Sequence, residues 1–161
     1  MLRRILVPLD GSKVGEAALK HVEELIPQLA SEVVKYEVTL FQVITSLSHY
    51  VVAGEASVQV PYTEKELAQI KKRARDYLNK ASEGLRSKGL TVKTKVATGK
   101  AAEEIIKAAD EVKANIIAMS THGRSGLSRL TFGSITDKVL RTACVPVLVV
   151  RAPKGMENAS A

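Results

Sequence analysis

Cysteine is almost absent from this chain: Cys144 stands alone among 161 residues. One thiol excludes an intramolecular disulfide and leaves no cysteine pair for a zinc site. Its setting, the apolar run from Ala143 to Val150, predicts a buried packing role rather than a reactive one. Aromatic residues are scarce too, with two Phe, four Tyr and no Trp. They are not interleaved with basic residues in the way that stacks nucleic-acid bases. The formal net charge is +7, but the Lys and Arg residues are spread over every predicted helix. The densest group, Lys71-Lys72-Arg73 with Arg75, falls on a polar helix face. A solvated surface is favoured over nucleic-acid binding.

No apolar stretch approaches the roughly 20 residues that a membrane helix requires. The start, Met1-Leu2-Arg3-Arg4, passes into a strand without a cleavable apolar region, so the cytoplasm is the expected compartment. Of the three histidines, His21 and His49 lack an i, i+4 partner or any nearby ligand set, and His122 reads as a structural hydrogen-bonding residue; no metal site is expected. There is no Gly-x-x-x-x-Gly-Lys-Ser/Thr loop, and no acidic pair stands ready to hold magnesium.

What is present is an alternation. Strand-length apolar runs at Ile5–Val7, Val38–Ile44, Ile116–Met119 and Val145–Val150, and a strand at Val92–Val96 with alternating Lys on its solvent side, are separated by helical patterns over about 13–26, from Thr63 to Gly89, over 101–112 and over 134–142. Thr63 and Glu66 form a capping-box pair at the start of the second helix. Continuous apolar strands are buried on both faces, which predicts a parallel sheet between two layers of helix: one doubly wound α/β domain. Residues 45–62 are expected to be irregular, Pro27 to make the end of the first helix ragged, and 152–161 to be a disordered polar tail behind a domain spanning 1–151.

The most informative stretch is Asn115–Ser134, NIIAMSTHGRSGLSRLTFGS. A buried strand opens into a small, polar, glycine-bearing loop. Nine residues separate Gly123 from Gly133-Ser134, and then a helix begins. Glycines let the backbone approach an anion, and a helix N-terminus offers free N–H groups and the positive end of its dipole. The pattern predicts a phosphate site. In doubly wound sheets ligands sit beyond the carboxyl ends of strands where the winding reverses. If the first and fourth strands are neighbours there, Asp10 and the 119–134 loop face one crevice.

Pro8-Leu9-Asp10-Gly11-Ser12, Ser120-Thr121-His122-Gly123, the nine-residue spacing to Gly133-Ser134, and the closing run ACVPVLVV together resemble the universal stress protein family, over about residues 2–151. The resemblance implies a five-stranded parallel sheet with four helices, of the adenine nucleotide alpha hydrolase-like type. It also implies a cytoplasmic homodimer, joined through the fifth strand, Val145–Val150. It implies a nucleotide-dependent regulator that binds ATP or a related adenine nucleotide, with magnesium carried by the phosphates, and whose state is read by a protein partner. In this role Asp10 would accept from the ribose hydroxyls. Val43 would lie by the adenine, with Pro8 and Leu9 shaping the pocket and Met119 and Ser120 approaching base and sugar. Gly123, Arg124, Gly133, Ser134, Ile135 and Thr136 would surround the phosphates. Ser120 occupies the first glycine position of the family's nucleotide pattern. Two alternatives stand beside this reading: an interaction module that binds no nucleotide, and a slow ATP hydrolase. No catalytic residue set is visible.

Overall fold

Seven strands and five helices make up the structure, a computed structural model that describes residues 1–54, 56–121 and 133–153. Five strands form one parallel sheet: β1 (Leu2–Pro8), β2 (Lys35–Ile44), β5 (Thr91–Thr98), β6 (Ile116–Thr121) and β7 (Val147–Arg151), in the order β5-β2-β1-β6-β7. The chain builds outward from β1 through β2 to β5, then returns to place β6 on the other side of β1. The winding therefore reverses between β1 and β6, which pair in parallel.

The alternation of side chains explains why these strands need helices on both faces. Ile5, Val7, Val38 and Leu40 point to one side and pack with Ala18, Leu19, Val22 and Ile26 of α1 (Glu16–Leu29), Leu78 of α2 (Glu64–Ala81) and Leu85 of α3 (Glu83–Ser87). Leu6, Phe41, Ile117 and Met119 point to the other side. There they meet Ala102, Ile105, Ala108 and Ala109 of α4 (Ala101–Glu111) and Val139 of α5 (Ser134–Thr142). A strand buried on both faces leaves no place for a polar alternation. The doubly wound sheet expected from the sequence is the observed one.

Local details depart from expectation. The first helix runs from Glu16 to Leu29, later at both ends than the expected 13–26. Its start is delayed because Ser12 and Asp10 close a turn there. It continues through Pro27, whose ring nitrogen cannot bond the Glu23 carbonyl four residues back. Lys88 Nζ donates to that carbonyl instead, at 3.1 Å. Residues 45–62 are not irregular: β3 (Ser48–Ala53) and β4 (Ala56–Pro61) form an antiparallel hairpin outside the main sheet. It turns at Gly54, whose φ of +66° suits a tight hairpin turn. The hairpin escaped the sequence reading because it buries little, so its alternation serves no core: Tyr50 is 70% exposed and Val52 76%. Its base is held by a stack of His49 on Tyr62, with ring centroids 4.8 Å apart.

The second helix breaks at Ser82 rather than Gly89, and the short α3 follows. The capping box at Thr63 and Glu66 is present as expected, and the Thr63 backbone N–H holds the Glu66 carboxyl below its ordinary pKa. Cys144 is exposed, against the expected packing role, because it falls in the turn between α5 and β7 and not in a strand. Of the expected tail, Ala152 is buried beside Val14 and Ala17, and its N–H donates to Thr121 O at 3.0 Å. Residues 154–161 lie outside the described residues. Among the described residues no helix is long and apolar enough to cross a membrane.

Candidate functional site

A cavity of about 430 Å³ opens at the carboxyl ends of β1, β2 and β6, at the switch point. Each of its walls follows from local sequence. β1 ends at Pro8, and Leu9 N–H still reaches Phe41 O at 2.7 Å, so Leu9 and Asp10 leave the sheet along the rim. The Asp10 carboxylate is fixed: its Oδ1 accepts from the Ser12 N–H at 2.9 Å and from the Ser12 hydroxyl at 2.6 Å. This is the turn-closing bond that aspartate makes to its own backbone two residues on. Phe41 and Val43, two apart on β2, present their side chains to the same face and form an apolar wall with Ile105 and Met119.

Three helix N-termini converge on this space. Gly15 precedes α1, Ala101 opens α4, and Gly133 precedes α5; all three line the cavity. Gly133 has φ +84° and ψ 151°, a region essentially restricted to glycine. The ladder of α5 begins with Asp137 N–H on Gly133 O at 2.9 Å, so the N–H groups of Ser134, Ile135 and Thr136 precede it. Such groups, with the helix dipole behind them, attract an anion. Asp10 is the single titratable side chain among the described lining residues. An anion here would be held by backbone and hydroxyl groups rather than by a described cation. Among the described residues no group of three His, Cys, Asp or Glu is placed to hold a metal ion.

The cavity brings together Pro8, Leu9, Asp10, Val43, Met119, Ser120, Gly133, Ser134, Ile135 and Thr136, all singled out from the sequence. Gly123, Arg124 and His122 lie outside the described residues. Ser120 sits in β6 without a positive φ, so serine is not strained at this position. The sequence reading missed Gly15, Phe41, Thr45, Ala101 and Ile105. Phe41 could have been found from Val43, because residues two apart on a strand share a face. Ala101 and Ile105 carry the same signal at helical spacing, one turn apart at the start of α4.

Tyr77 of α2 donates its hydroxyl to Glu16 Oε1 at 3.2 Å. Burial, and then the Glu16 charge, raise the Tyr77 pKa, so the phenol stays protonated and keeps α2 tied to the first turn of α1.

A parallel sheet wound on both sides of β1, with a cavity at the reversal and helix N-termini around it, defines a doubly wound α/β protein. The universal stress protein family model matches residues 1–151, and the chain belongs to that family. It is 31% identical over 157 residues to Universal stress protein MJ0531 of Methanocaldococcus jannaschii, covering 96% of this chain and 85% of that one. The solved structure of protein MJ0577 superposes with a TM-score of 0.69 at 27% identity, covering 95% of this chain and 98% of that one. A universal stress protein family protein from Arabidopsis thaliana, solved with AMP bound, shares the fold with a TM-score of 0.62 at 12% identity, covering 96% of this chain and 98% of that one.

Proposed function

We propose that this protein binds ATP, or a related adenine nucleotide, in the switch-point cavity and acts in the cytoplasm as a nucleotide-dependent regulator of a stress response. The observation that carries the reading is the open N-terminus of α5 behind Gly133, lining the same cavity as Asp10. One end of the space suits phosphate oxygens, and Asp10 suits a diol. The apolar wall of Phe41, Val43, Ile105 and Met119 suits a flat base. AMP bound to the Arabidopsis relative supports the same ligand class. In this reading Pro8 and Leu9 shape the pocket, Val43 lies by the adenine, Met119 and Ser120 approach base and sugar, and Gly123 and Arg124 join Gly133–Thr136 around the phosphates. Magnesium would be carried by those phosphates.

The test is the nucleotide content of freshly purified protein, released by acid and resolved by chromatography, followed by calorimetric titration of the emptied protein with ATP. Adenine nucleotide equimolar with the chain, or saturable heat on titration, is the expected result. Neither nucleotide nor heat would reject the reading.

A homodimer through β7 belongs to the same proposal. β7 is an edge strand with a half-buried apolar run, and such an edge is a template for a second copy. Pro146 O accepts from Ile117 N–H and Ala152 N–H donates to Thr121 O, both at 3.0 Å. Even-numbered residues therefore face β6, and Val149 turns its N–H to the free edge. Val149→Pro should remove an outward donor while sparing the ladder to β6. Light scattering should then give a monomer from a folded variant; a dimer that survives would place the interface elsewhere.

A further inference from the structure

We propose that Ser120, standing where the family's nucleotide pattern has glycine, is the residue that fixes the ribose-recognising carboxylate of Asp10, and so sets the preference for ribose over deoxyribose. The inference rests on the nucleotide reading above. Helix α1 has Gly15 at its N-cap, a residue with no side chain to accept from the first turn. A capping oxygen normally comes from that residue and accepts the N–H two or three positions on. Here it comes from another strand: the Ala18 N–H donates to Ser120 Oγ at 2.8 Å. The Ser120 hydroxyl then donates to Gly15 O, also at 2.8 Å. Gly15 N–H in turn donates to Ser12 Oγ at 3.0 Å, and the Ser12 hydroxyl donates to Asp10 Oδ1. Gly15 is thus clamped on both sides, by Ser120 through its carbonyl and by Ser12 through its N–H.

The clamp matters because Asp10 packs against Gly15. A Cβ added there would lie 2.5 Å from Asp10 Oδ1. The absent side chain leaves the space the carboxylate occupies, which is also why α1 cannot cap itself. Oδ1 is engaged twice by Ser12, whereas Oδ2 has no hydrogen bond within the described residues. That second oxygen is the one left to accept from the sugar. Asp10, Gly15 and Ser120 all line the cavity, so a small shift of Gly15 moves the acceptor relative to the ligand. Glycine at 120 would remove both of the hydroxyl's bonds; serine makes β6 and the first turn of α1 one unit.

The experiment compares affinities for ATP and 2′-deoxy-ATP in the full chain, for the unaltered protein, Ser120→Ala and Gly15→Ala. The unaltered protein should prefer ATP by roughly 10-fold, the worth of one hydrogen bond to a charged group. In Ser120→Ala the preference should collapse to within about 2-fold, below half a hydrogen bond's worth. Gly15→Ala should do the same by displacing Asp10, and its φ of −57° accepts alanine, so it remains informative if Ser120→Ala does not fold. Hydrogen exchange of the nucleotide-free protein should show the Ala18 amide losing protection in Ser120→Ala. A purely structural Ser120 would weaken both ligands equally and leave the ratio unchanged, which overturns the proposal. An Ala18 amide that keeps its protection also overturns it. An unaltered protein that binds both nucleotides equally defeats the proposal alone. One that binds neither defeats the nucleotide reading with it.

Discussion

Gly133→Val should lose roughly 100-fold or more in ATP affinity, the worth of two hydrogen bonds to a charged group at about 1.5 kcal/mol or more each. Stability should fall far less. A Cβ at Gly133 would meet nothing within 4 Å among the described residues, so none of their side chains has to move aside. The cost is in the backbone. At φ +84° and ψ 151° a β-branched residue is strained by about 1–3 kcal/mol, and it relieves that strain by rotating its peptide groups. That rotation carries Ser134 N–H, the first donor of α5, away from the anion. Calorimetric titration and a thermal melt on the same sample separate the two effects. Unchanged affinity would remove the α5 terminus from the site; loss of the folded state would show Gly133 to be structural.

Phe41→Ala should do the reverse, with stability taking the larger loss. Phe41 is 1% exposed and joins β2 to the α4 side of the core. Truncating a buried aromatic costs about 3–5 kcal/mol, because lost burial is compounded by the hole left behind. For a chain of this size that lowers the melting temperature by roughly 6–20 °C. Phe41→Leu keeps much of the volume and should cost clearly less. Urea unfolding checks both. A loss below about 1 kcal/mol for Phe41→Ala would mean that Ile105 and Met119 close over the gap. Because Phe41 also lines the cavity, affinity should fall too, but through a loosened wall rather than a lost donor.

These two positions differ in how readable they were. Gly133 announces itself: a glycine at fixed spacing from Gly123, followed by Ser134 and a helical pattern, has a physical reason to be glycine wherever it folds. Phe41 looks like any other core residue of an apolar strand. Its second role, as a cavity wall, depends on which helix covers that face of β2 and on where α4 begins. Gly15 is plainer still in the sequence, yet it leaves the space that the Asp10 carboxylate fills. The hairpin of β3 and β4 was hidden for the opposite reason. Its pairing is local, but its side chains are exposed on an isolated ribbon, so the apolar alternation that marks a strand does not answer to a core.

The sequence by itself determined the sheet, because runs such as Ile5–Val7 and Ile116–Met119 are apolar at every position, and Val38–Ile44 is apolar but for Thr39 and Gln42, so that they are satisfied only by helices on both faces. It also set Asp10 and Gly133–Thr136 just beyond strand ends, where such a fold gathers its chemistry, but that β1 and β6 are the neighbours that bring them to one crevice was decided by the fold. The tertiary structure alone decided what Ser120 does. Its partners, Gly15 and Ala18, are 105 and 102 residues away along the chain. A hydrogen bond across that separation leaves no periodicity or spacing to read; it exists only once β6 has been laid beside β1 and the first turn of α1 brought over it.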